Sequence, residues 1–134
     1  MKLLKLPKSS SYIVNKPFGG YYLPARFQYL ILRDYCAKKK IEFSLPQGEP
    51  VFSKTNIRLR SIIKKLKKND KLIILSIYVL PEDFKIRSII VKELVKKKIE
   101  THFVFENIVA NKSNNYIQVM NIFKLNKFLR RKTD

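Results

Sequence analysis

Between Lys71 and Leu80 the chain reads KLIILSIYVL, a nearly continuous apolar run. A strand covered on both faces reads this way, and such strands belong to parallel sheets whose crossover connections are helices. The run therefore predicts a central strand in an α/β layer structure. The flanking sequence agrees, since strand-like and helix-like patterns alternate on either side. Ser11 to Asn15 (SYIVN) reads as a first strand, ended by the turn Pro17-Phe18-Gly19-Gly20. Ala25 to Lys39 spaces Phe27, Leu30, Ile31, Asp34 and Tyr35 as one helical stripe. Ile41 to Ser44 reads as a second strand and Leu45 to Phe52 as a loop. Ser53 or Thr55 is then placed to cap a helix that turns Ile57, Ile62, Ile63 and Leu66 inward and ends in lysines.

After the central run, Pro81 opens a third helix reaching Lys97, with Glu82 and Asp83 at its start, where the dipole favours carboxylates. Its expected inner side is Phe84, Ile89, Ile90, Leu94 and Val95. Ile99 to Phe105 reads as a fourth strand and Glu106 to Asn115 as a loop. Residues 116–134 form a basic amphipathic segment in which Ile117, Met120, Phe123 and Phe128 recur at helical or near-helical spacing. That segment is expected to complete the core, pair subunits into a homo-oligomer, or lie on an anionic membrane surface.

These patterns predict an α/β fold: one three-layer domain over residues 1–134, with a mainly parallel sheet of about four strands in the order 2-1-3-4 and helices on both faces. The outline is resolvase-like or flavodoxin-like, and it is similar to the catalytic domain of serine recombinases. Those enzymes carry an arginine and a serine nucleophile just after the first strand. This chain has Tyr12-Ile13-Val14-Asn15-Lys16-Pro17 there, so the likeness implies the fold without strand exchange.

Composition narrows the chemistry further. A net charge of +19 and a pI near 10.1 attract polyanions, including non-specific nucleic acid and anionic lipid. Lysine greatly outnumbers arginine, and isoleucine and asparagine abound, as an A/T-rich coding sequence produces with no binding role. Cys36 and His102 are the sole cysteine and histidine, so no internal disulfide and no metal site with Cys/His spacing is expected. Residues 1–10 read as a basic extension whose apolar run is broken by Lys5 and stopped by Pro7, which makes a cytoplasmic location the expectation.

In a sheet of this kind, ligands meet the crevice beyond the carboxyl ends of the strands. The residues expected there are Asn15, Lys16 and Phe18 after strand one, Ser76 and Tyr78 near the end of strand three, Glu82 and Asp83 beyond it, and Glu106 and Asn107 after strand four. The chain has ten acidic residues, so three carboxylates at neighbouring strand exits stand out. Glu106, Glu82 and Asp83 are the catalytic candidates, with His102 as a possible base. Asn15, Lys16, Phe18, Tyr78 and Asn107 are the ligand-binding candidates. Arg33 and Asp34 join them, Asp34 because it falls on the apolar stripe of the first helix and needs a partner if buried.

Phe18-Gly19, Leu23-Pro24, Gln28, Arg33-Asp34-Tyr35-Cys36, Leu80-Pro81-Glu82-Asp83 and the string His102-Phe103-Val104-Phe105-Glu106 together resemble the small bacterial "sporadic carbohydrate cluster" family. The resemblance spans about residues 12 to 110. It implies a gene neighbourhood of surface-polysaccharide or lipopolysaccharide synthesis and, as ligand, a phosphorylated sugar or nucleotide sugar. It implies no particular reaction or cofactor.

Overall fold

In a computed structural model of the chain, which describes residues 8–20, 22–48 and 56–133, the central run forms the middle strand of a five-stranded sheet. The elements are β1 (Ser9–Ile13), α1 (Ala25–Lys39), β2 (Gln47–Gly48), α2 (Ile57–Lys65), β3 (Lys71–Ile74), a 3-10 turn (Ile77–Val79), α3 (Phe84–Lys97), β4 (Glu100–Phe103), β5 (Ile108–Ala110) and α4 (Ser113–Thr133). The strand order is β2-β1-β3-β4-β5. The first four strands are mutually parallel, and β5 runs antiparallel to β4.

The expected order of the parallel strands holds. From β1 the chain steps one way to β2, then back across β1 to β3 and onward to β4. Right-handed crossovers then require α1 on one face and α2 and α3 on the other. Neighbouring side chains of β4 mark the two faces. His102 reaches Tyr35 of α1, whereas Thr101 reaches Tyr116 of α4. On the α4 side, Lys97 Nζ ties α3 to α2 by donating to the carbonyls of Ile63 and Lys64 at 2.7 and 3.0 Å.

Leu72, Ile73, Ile74 and Leu75 are all fully buried, as a doubly covered strand requires. The strand is shorter than the apolar run. It ends at Ile74, and at Ser76 the backbone turns out of the ladder, with Ser76 Oγ accepting from Tyr78 N at 3.2 Å. Ile77, Val79 and Leu80 remain buried outside the sheet, so their apolarity reports burial and not strand.

Four further expectations are corrected. The second strand pairs at Gln47–Gly48, while residues 41–44 run beside β1 held by side-chain hydroxyls: Ser9 Oγ donates to Glu42 O, and Ser44 Oγ donates to Ser9 O at 2.9 Å. The inward stripe of α1 is Gln28, Leu32 and Cys36, leaving Phe27 and Leu30 exposed. Gln28 faces the sheet because its amide prolongs β1, accepting from Val14 N at 3.1 Å and donating to Val14 O at 2.6 Å. On α3 the buried residues are Arg87, Ile90 and Leu94, and Phe84 and Ile89 are exposed. Finally, the segment after β4 is a hairpin, turned by Asn107 at φ 54° into β5.

α2 buries Leu59, Ile62, Ile63 and Leu66, with Asn56 as its N-cap and Ile57 exposed. The candidate caps Ser53 and Thr55, residues 1–7 and the Phe128 side chain lie outside the described residues. α4 starts at Ser113, three residues earlier than the sequence pattern, and buries Tyr116, Val119 and Phe123. No helix among the described residues is long and apolar enough to cross a membrane.

Candidate functional site

The change of direction between the two crossovers opens a gap between the carboxyl ends of β1 and β3, where an α/β sheet offers a ligand crevice. A cavity of about 310 Å³ occupies it. β1 delivers Lys16 and Pro17, the 3-10 turn delivers Tyr78, and Leu80 to Asp83 close the far side. Asn56 places the amino end of α2 at the wall, the positive end of its dipole. Lys16, Glu82 and Asp83 are exposed, whereas Asn56 is buried. The walls therefore combine one cation and a helix amino end with two carboxylates, a set able to hold an anion and hydroxyl groups together.

Several contacts fix this geometry. Asp83 caps α3, its Oδ1 accepting from Ile86 N at 3.1 Å. Arg87, one turn into α3, donates from Nη1 to the carbonyls of Pro81 and Glu82, both at 2.9 Å, and so shapes the wall from behind. Its guanidinium lies 4.0 Å from the Phe123 ring centroid on α4, and the same ring is 5.6 Å from that of Tyr78. Burial lowers the Arg87 pKa, partly opposed by Asp83 and Glu82. Gly19, at φ +58°, lies against Tyr78; a Cβ there would stand 3.0 Å from Tyr78 Cδ2.

Glu106 is close to this region but lines no part of the cavity. Its Oε2 accepts from Ser76 Oγ at 2.7 Å and its Oε1 from Ile77 N at 2.8 Å. The carboxylate thus ties the exit of β4 to the turn that carries Tyr78. Phe18 is buried, its ring 6.4 Å from that of Phe105, while Asn15 is exposed beyond β1 and Asn107 forms the hairpin turn.

The other candidates lie elsewhere. Arg33 and Asp34 are exposed on α1, and Asp34 pairs with Lys38 at 3.1 Å, which corrects its expected place on the inward stripe. The one-residue shift of the helix face explains this. His102 is buried under α1, where its Nδ1 is 2.6 Å from Tyr35 Oη and its Nε2 2.8 Å from Glu100 Oε1. A carboxylate only accepts, so Nε2 carries the proton and Nδ1 accepts from the tyrosine. Burial lowers the His102 pKa, with Glu100 opposing, and burial raises the Tyr35 pKa. No group of three or more His, Cys, Asp or Glu among the described residues is arranged to hold a metal ion. Sequence reasoning missed Asn56 as a wall residue, although an asparagine before a basic, apolar-periodic run is itself a capping signal.

The N-terminal catalytic domain of TP901-1 integrase, a serine recombinase, matches this chain in structure with a TM-score of 0.62 at 17% sequence identity. The match covers 92% of this chain and 97% of that one. At that identity it shows the fold: a resolvase-like α/β domain with a mostly parallel five-stranded sheet. No protein-family model matches the sequence. No curated protein matches it either.

Proposed function

We propose that the crevice binds a phosphorylated sugar or nucleotide sugar, and that the protein is an enzyme or accessory protein of cell-surface carbohydrate synthesis. The supporting observation is the meeting of Lys16 and the α2 amino end with Glu82 and Asp83 around one cavity of about 310 Å³. The cationic side suits a phosphate, and carboxylates commonly accept from sugar hydroxyls. A cavity of this size lies at the small end of ligand sites, enough for one sugar ring and its phosphate. In this reading Glu106 acts on the crevice through the Ser76–Tyr78 turn, and the resemblance to the carbohydrate-cluster family supplies the ligand class.

Isothermal titration with a panel of sugar 1-phosphates and UDP-sugars tests the proposal. One ligand is expected to bind, with Lys16→Glu weakening it at least tenfold and Glu82→Gln weakening the sugar compound more than inorganic phosphate. If no panel member binds better than inorganic phosphate, the reading fails.

A second reading rests on the exposed cations along α2 and the loop after it: Arg60, Lys64, Lys65, Lys67 and Lys68. They would bind nucleic acid through phosphate contacts, without sequence preference and with steep salt dependence. The residues following β1, Asn15 and Lys16, offer no serine nucleophile for strand exchange. Equal affinity for scrambled duplexes, lost between 50 and 200 mM salt, is the expected outcome of this reading.

A further inference from the structure

Outside the crevice, an uncovered apolar groove of about 440 Å³ lies between α3 and α4. Phe84, Val91 and Val95 form one wall, and Ile117 and Met120 the other. Phe84 is 65% exposed and Ile117 55%, a large apolar area to leave in water. Lys92 and Lys96, one turn apart and both exposed, rim the α3 side.

We propose that this groove docks an amphipathic helix of a partner protein, one whose apolar stripe is flanked by carboxylates one turn apart. The groove follows α3 from Phe84 to Lys96, roughly 18 Å at 1.5 Å per residue, which matches about three helical turns of an occupant. The lysine pair selects the charge of that occupant. A second copy of this chain does not satisfy it. α1 and α3 each carry one acidic residue, Asp34 and Glu93, and the sequences of α2 and α4 carry none. Two chains of net charge +19 also repel each other. A bilayer is a poor fit to a concave floor, since Val91, Val95 and Met120 lie half-buried below the exposed rim.

The test uses a panel of fluorescent 18-residue helical peptides with leucines at i, i+3, i+7 and i+10 and glutamate pairs at i, i+4 on one flank. Each is measured by anisotropy at 150 mM salt against its scrambled version. At least one peptide is expected to bind the full chain tenfold or more tightly than its scramble. Ile117→Glu should abolish that binding. Lys92→Glu with Lys96→Glu should weaken it at least tenfold and restore binding to a lysine-flanked version of the same peptide. All three positions are exposed, and circular dichroism checks that each variant folds. The proposal is overturned by any of four results: no peptide exceeding its scramble, indifference to the lysine reversals, self-association that Ile117→Glu abolishes, or displacement of the peptide by phosphatidylglycerol vesicles.

Discussion

Replacing Glu106 by Gln removes one charge and little volume, and the geometry around it sets the expected effect. The carboxylate accepts from Ser76 Oγ at 2.7 Å and from Ile77 N at 2.8 Å, one donor on each oxygen. An amide offers one oxygen, so its NH2 group must confront the other donor. Hydrogen bonds to a charged acceptor are worth ~1.5–3 kcal/mol each, and half-burial of Glu106 argues for the lower end. Gln should therefore destabilise by ~1.5–2 kcal/mol and Ala by ~3 kcal/mol. For a chain of this length 1 kcal/mol shifts the thermal midpoint by roughly 3–5 °C, so Gln should lower it by about 5–10 °C. Differential scanning fluorimetry reads this directly. Ser76→Ala supplies the control, because the Ser76–Glu106 pair should couple by roughly 0.5–1.5 kcal/mol in a double-mutant cycle. Any loss of ligand affinity in the Gln variant should be matched by Ser76→Ala, since both loosen the turn that carries Tyr78. A Gln variant with an unchanged midpoint and abolished binding would refute this reasoning and make Glu106 a direct ligand contact.

Further predictions concern the histidine, the helix ends and the glycine turn. His102 is held neutral with its pKa below the ordinary value of 6.5, so its contribution to stability is complete above pH 6.5 and is lost as pH falls through the lower folded-state value. The midpoint of the wild type should therefore drop between pH 7 and pH 5 more steeply than that of His102→Gln; parallel profiles would contradict it. Lys40 and Lys98 end α1 and α3 in the left-handed region, at φ 58° and 57°, where a Cβ is unfavourable. Lys40→Gly and Lys98→Gly should each stabilise by ~0.5–1 kcal/mol, and a lowered midpoint for both would count against the strain. Gly19→Ala, with φ +58° and a contact to Tyr78 Cδ2 at 3.0 Å, should destabilise by ~1–2 kcal/mol, as urea unfolding would show. The Cys36 thiol is fully buried and its pKa raised by that burial, so it should resist Ellman's reagent until the protein unfolds.

The sequence by itself determined the alternation of elements, the order of the parallel strands and the position of the crevice. Each follows from a local signal: the apolar run around Leu72–Leu75, helical periodicity between the strands, and the handedness of crossovers that fixes where the exits of β1 and β3 part. Lys16, Tyr78, Glu82 and Asp83 were legible as crevice residues for that reason, since Lys16 directly follows β1 and the other three lie on the connection that leaves β3 before α3 begins. Tertiary structure alone decided which side of each helix faces inward. Gln28 takes the inner position of α1 because the unpaired Val14 backbone needs its amide, and no hydropathy pattern encodes a strand's open hydrogen bonds. Asp34 is turned to solvent as a consequence. The same holds for Glu106, whose partners Ser76 and Ile77 lie about thirty residues away and meet it only once β3 and β4 have paired. Arg87 finds local acceptors in the carbonyls of Pro81 and Glu82, but it is buried because the Phe123 ring of α4, distant in sequence, is brought over its guanidinium by packing α4 onto α3.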